Sequence, residues 1–205
     1  MAIAVLTVMV LQYVAPEAGR LAPRWIIPAF ELLLLLTLIA VDPGRIDKRS
    51  AFMRRATTTL IGLMTFATLA GVTVLVVDIV WGVKGASNAA SLLGRGAALW
   101  VTNIITFSLW FWQFDRGGPA ERAAGSNVDP SFTFPEMMSP NRVSEGWMPR
   151  YPDYLFLAYT NATAFSPADT MPVRTWSKMM MMTESIISFA TGIIVIARAI
   201  GVLPG

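Results

Sequence analysis

Between positions 160 and 169 stand Thr160, Thr163, Ser166 and Asp169, three hydroxyls and a carboxylate. Hydroxyls, backbone carbonyls and a ring of carboxylates suit hydrated cations. The whole stretch, with Ala164, Phe165, Pro167 and Ala168, is therefore a candidate pathway or filter-like segment. The plainer role is capping: Asp169 or Thr170 is placed to cap a helix that starts near Pro172. Two further carboxylates, Glu184 and Glu31, interrupt apolar runs. An ionisable group inside a membrane span is a functional candidate by default. Glu184 could form a ring in a symmetric assembly or carry a proton. The plainer alternative for each is an ion pair. Lys178 is too far along a helix from Glu184 for an i,i+4 bridge, which leaves Arg174 or another subunit, while Arg24 is the natural partner of Glu31.

Other chemistries find few carriers. The chain has no His and no Cys, so it supplies no His-ligated haem, Cys-ligated zinc, iron–sulfur cluster or disulfide. The usual general base is missing as well, and no nucleophile–base pair is visible, so no enzymatic activity, metal or cofactor is expected. Met179 to Met182 could hint at copper(I), but four consecutive helical residues point in four directions, and apolar packing fits better. Trp100, Trp110 and Trp112 read as interfacial or packing residues.

The elements that must position these groups follow from composition. Of 205 residues, 55% are hydrophobic and only 14% charged, with a mean hydropathy of +0.56. Soluble domains carry about a quarter charged residues. The long apolar runs therefore indicate an integral membrane protein. The net charge of +3 and pI near 9.6 fit loop charge on the cytoplasmic side rather than nucleic-acid binding. Apolar runs predict helices over about 1–14, 25–41, 57–81, 97–114 and 176–203. The first is short for a span and is read as a retained helix rather than a signal peptide. Residues 115–152 form a polar, proline-rich stretch with no helical or strand period, expected as a long loop outside the bilayer. Phe132, Phe134, Trp147 and Tyr151 are its apolar anchors, suited to packing on a partner or on the membrane surface. The run Tyr154 to Phe165 is too short to span and too apolar for an ordinary loop, which predicts a re-entrant or interfacial helix.

Arg45, Lys48, Arg49, Arg54 and Arg55 place the loop between the second and third runs in the cytoplasm by the positive-inside rule. Counting onward puts the acidic loop from Asp115 inside too; placing it outside requires one predicted span not to cross.

The order of span, short helix, polar turn and span at the C-terminal end resembles the pore module of the two-transmembrane potassium-channel superfamily. Asp153-Tyr-Leu-Phe looks like the start of a pore helix, and Thr160-Asn-Ala-Thr163 like its threonine-rich end. Asp169 falls where an aspartate follows the selectivity filter, and Pro172 matches a proline just beyond. Trp176 and Lys178 open the inner helix, and Ile196-Ala-Arg-Ala199 matches a frequent ending of it. The correspondence needs no gap over 153–201, about a quarter of the chain. The centre departs from it: where the family has Thr-Val-Gly-Tyr-Gly, this chain has no glycine, and Pro167 fixes φ and removes a donor. A standard potassium filter is not expected. As a whole, with Asp42-Pro-Gly-Arg-Ile-Asp47 and Thr160 to Pro172, the chain is similar to an uncharacterised family of bacterial multi-pass membrane proteins.

The expected protein is thus all-α and polytopic, with four or five transmembrane helices plus a re-entrant pore-type helix. Its parts are helices over 1–114, an extramembrane loop over 115–152 and a pore-like module over 153–205. The resemblance implies a degenerate, cation-channel-like protein of the bacterial inner membrane, a homotetramer in the lipid bilayer. The alternative is a structural accessory subunit of a larger membrane complex. No nucleic acid is expected as a partner.

Overall fold

A computed structural model of the chain describes residues 1–14, 25–41, 51–81, 89–125, 127–138, 147–164, 166 and 169–202. The apolar runs fold as helices because their backbone groups bond within the segment, the solution that a bilayer demands. They are α1 (Ala2–Val14), α2 (Ile26–Val41), α3 (Ala51–Trp81) and α4 (Ala89–Phe114). Pro28 sits in the first turn of α2, where its missing N–H costs nothing. Thr58, Thr65, Thr68 and Thr73 on α3 each donate to the carbonyl four residues back at 2.8 Å, so their hydroxyls need no water.

Among the described residues three helices are long and apolar enough to cross a membrane: Phe52–Trp81, Ala89–Gly117 and Thr175–Gly201. Ala2–Val14 and Ile26–Thr37 are shorter apolar helices. The fourth helix is the middle of the bundle. Its apolar stretch is 61% buried, against 33% for each of the other two long helices. On one side it shares a core with α1, α2 and α3, built on Val5, Val8, Leu35, Leu60, Ile61, Met64 and Leu109. On the other it shares a core with α7 (Tyr151–Ala164) and α8 (Thr175–Val202). Gly96 lets α4 approach α8 closely, since a Cβ there would stand 2.8 Å from both methyls of Val195.

Residues 115–125 and 127–138 are built around short elements. A 3-10 turn (Asp115–Gly117) and α5 (Pro119–Ala123) follow α4 directly. Strand β1 (Phe132–Thr133) then pairs antiparallel with β2 (Met171–Pro172), Phe132 opposite Pro172, and α6 (Pro135–Met138) follows β1. This corrects two expectations. The last helix begins at Thr175, close to the run read from 176, and the capping role of Asp169 or Thr170 at a helix near Pro172 does not hold, because Met171 and Pro172 are taken up as β2. The apolar anchors also pack on the chain's own helices rather than outward. Phe132 and Phe134 are buried, and Phe132 meets Phe111, Tyr154 and Trp176 at ring distances of 5.1, 6.5 and 5.8 Å. The basic loop Arg45 to Arg49 lies outside the described residues.

Candidate functional site

The polar groups of the α4, α7 and α8 core meet around Glu184. This side chain is fully buried, as are Asn103 and Thr106, and Asn161 and Ser188 are nearly so. Helical spacing brings them together. Asn103 and Thr106 are three residues apart on α4, Glu184 and Ser188 four apart on α8, so each pair shares a face. Asn161 of α7 donates from Nδ2 to Glu184 Oε2 at 2.7 Å and to the Met181 carbonyl at 2.9 Å. Asn103 of α4 donates from Nδ2 to the Glu184 carbonyl at 3.1 Å and to Ser188 Oγ at 2.9 Å. The two amides thereby stitch three helices together through about two turns of α8, and Ser185 Oγ returns a bond to the Asn161 carbonyl at 3.4 Å.

The arrangement is incomplete in one respect. Glu184 Oε1, Asn103 Oδ1 and Thr106 Oγ1 are buried with no hydrogen-bond partner among the described residues. Each asparagine amide has already spent its hydrogens. A buried carboxylate with one bonded and one bare oxygen is far from compensated. Glu31 repeats the pattern in smaller form: it is fully buried, accepts from Gln12 Nε2 of α1 at 3.1 Å through Oε1, and leaves Oε2 without a partner among the described residues.

Of the two ion pairs expected for these carboxylates, the one between Glu184 and Arg174 is not formed. Arg174 pairs with Asp129 at 3.3 Å on the surface, and Glu184 is held by an amide instead. Arg24 lies outside the described residues; Glu31 is bonded to Gln12. A ring of Glu184 side chains around a subunit axis needs them exposed, whereas this one is enclosed within a single chain.

The filter-like segment is placed differently. Thr160 Oγ1 donates to the carbonyls of Phe156 and Leu157 at 3.0 Å, and Thr163 Oγ1 to that of Tyr159 at 2.7 Å. Both hydroxyls are therefore satisfied within α7. Thr163, Ala164, Ser166 and Asp169 are exposed, and Thr160 is half-buried. Phe165, Pro167 and Ala168 lie outside the described residues. Met181 is buried while Met179 and Met182 are exposed, as divergent helical directions require.

Two polar sites had escaped the sequence reading. Arg95 falls inside α4 and its Nη1 meets Asp78 Oδ2 of α3 at 2.9 Å, both side chains buried. Asp115, also fully buried, organises the end of α4. Its Oδ1 accepts from the Ser131 amide and its Oδ2 from the Tyr154 hydroxyl, each at 2.6 Å. Its carbonyl accepts from Arg122 Nη1 at 2.6 Å, and Arg122 Nη2 reaches the Trp112 carbonyl at 2.8 Å. The guanidinium lies 5.3 Å from the centre of the Tyr154 ring. Burial lowers the pKa of Arg122, an effect that Tyr154 and Asp115 oppose. Burial first, then the nearby Asp115 charge, raises that of Tyr154. The only hint in the sequence was an aspartate directly after an aromatic helix and before Gly117-Gly118.

Comparison with known family models, curated proteins and solved structures finds no match to this chain. The likeness to a pore module therefore rests on the residues themselves.

Proposed function

We propose that this is a multi-pass inner-membrane protein that conducts a cation or a proton through a degenerate pore-loop module, without a classical potassium filter. In this reading four or five helices cross the bilayer and α7 is re-entrant. Four copies assemble with the Thr160–Asp169 segment near the common axis. The observation that carries it is the placement of α7. Its 14 residues extend about 21 Å, short of the roughly 30 Å hydrocarbon core, yet it packs between two helices of spanning length, α4 and α8. The exposed Thr163, Ala164, Ser166 and Asp169 are then available to face other copies.

The test is cation and proton flux into proteoliposomes, with the native mass of the gently extracted protein measured beside it. Four chains with no other polypeptide, and a flux that changes in Asp169→Asn, are expected. One copy bound to unrelated subunits, with no flux, would overturn the reading in favour of an accessory subunit.

A further inference from the structure

We propose that Glu184, Asn103 and Thr106 form an occluded binding site for one hard monovalent cation, a sodium-class ion or a proton, inside each chain. This goes beyond conduction through the exposed segment and stands whether or not that segment conducts. Three side-chain oxygens of α4 and α8, all fully buried, lack a partner: Glu184 Oε1, Asn103 Oδ1 and Thr106 Oγ1. All are hard oxygen ligands of the kind that bind sodium or accept a proton. The hydrogens of both asparagine amides are already used, and none goes to Glu184 Oε1. Asn161 Nδ2 is used on Glu184 Oε2 and Met181, Asn103 Nδ2 on the Glu184 carbonyl and Ser188. Neither amide has a hydrogen left for the remaining carboxylate oxygen. What the carboxylate lacks is one positive charge, and no side chain among the described residues supplies it.

The charged groups on the helices packed here are few. Asp78 of α3 and Arg95 of α4 bond each other. Arg54 and Arg55 stand at the start of α3, and Asp153 in the first turn of α7 accepts from the Arg150 amide at 2.6 Å. On α8, Lys178 and Arg198 lie about 9 Å and about 21 Å from Glu184 along the axis. A mobile cation is the remaining source of charge. A hydroxyl without a partner, at Thr106, is also out of place in a core packed only for stability.

The experiment is thermal unfolding of the full-length protein in detergent, in sodium, potassium or N-methylglucamine chloride at constant ionic strength, repeated from pH 5 to 9. A ligand that binds only the folded chain at ~100 times its Kd raises the midpoint by roughly 5–10 °C for a chain of this size. A rise with sodium, absent in Glu184→Gln and shifted to at least tenfold higher sodium in Thr106→Val, assigns the site to a sodium-class ion. A midpoint indifferent to sodium but changing with pH, with that change lost in Glu184→Gln, assigns it to a proton. Thr106→Val keeps shape and removes only the unpartnered oxygen, so it guards against a failure to fold. A wild-type midpoint indifferent to both sodium and pH would overturn the proposal. So would a response that survives unchanged in Glu184→Gln.

Discussion

Asp115 and Glu184 are both fully buried carboxylates, and one helix serves both. Tyr154 and Asn161, two turns apart on the same face of α7, donate to them at 2.6 and 2.7 Å. The surroundings differ. Each Asp115 oxygen has a donor, its carbonyl binds a guanidinium, and the neighbouring chain is pulled into a two-stranded pairing with β2. Among the described residues Glu184 has one donor for two oxygens, and Asn103 Oδ1 and Thr106 Oγ1 on α4 are likewise without partners. Completed networks fix structure; a network missing one charge is where an ion can enter and leave. The first cluster holds the loop onto the helix ends, and the second is the place to look for function.

The largest effect sharpens the structural side. Asp78→Ala leaves Arg95 buried without a counter-charge and should cost about 3–5 kcal/mol; replacing both by leucine should restore most of the midpoint in a thermal melt. Next comes Asp115→Ala, which strands the Ser131 amide and the Tyr154 hydroxyl. A loss of about 2–5 kcal/mol is expected, with faster proteolysis of residues 115–138. A native melting curve in this variant would break the comparison. Glu184→Gln should behave in the opposite way. It removes a charge that no described side chain balances, so without sodium at high pH it should melt at or above the wild type.

A smaller effect lies in alkali. The raised pKa of Tyr154 means that its neutral form is favoured in the folded state. That contribution is fully present below the unfolded value of about 10 and is lost as pH rises from there toward the folded value. The melting midpoint should fall above about pH 10, and less so in Tyr154→Phe. The smallest change is Thr106→Val, expected within about 0.5 kcal/mol of wild type in the absence of sodium, because its hydroxyl bonds nothing.

Much of the bundle could be read from apolar run lengths. The apolar runs at 57–81 and 97–114 lie inside Ala51–Trp81 and Ala89–Phe114, the run from 176 opens one residue into Thr175–Val202, and Tyr154 to Ala164 falls in α7. Glu184 stood out as one carboxylate in an apolar helix, but its partners did not. Asn161 and Asn103 are 23 and 81 residues away in sequence, and no local pattern announces a contact of that range. Arg95 was missed because the apolar run was started at Ala97, whereas the helix begins at Ala89 and carries the guanidinium inward to Asp78. Asp115 was hidden among other acidic residues of a polar stretch. Only the return of Ser131 and Tyr154 to the end of α4 separates it from them, and that is a tertiary event.

Hydrogen–deuterium exchange of the wild-type protein, with and without sodium and at two pH values, tests the contrast most directly. The account predicts that amides of α7 near Asn161 and of α8 near Glu184 gain protection with sodium or with acid. Those around Asp115, Ser131 and the β1–β2 pair should stay unchanged. Protection that is the same in all conditions, or that changes at Asp115 and not at Glu184, would contradict it.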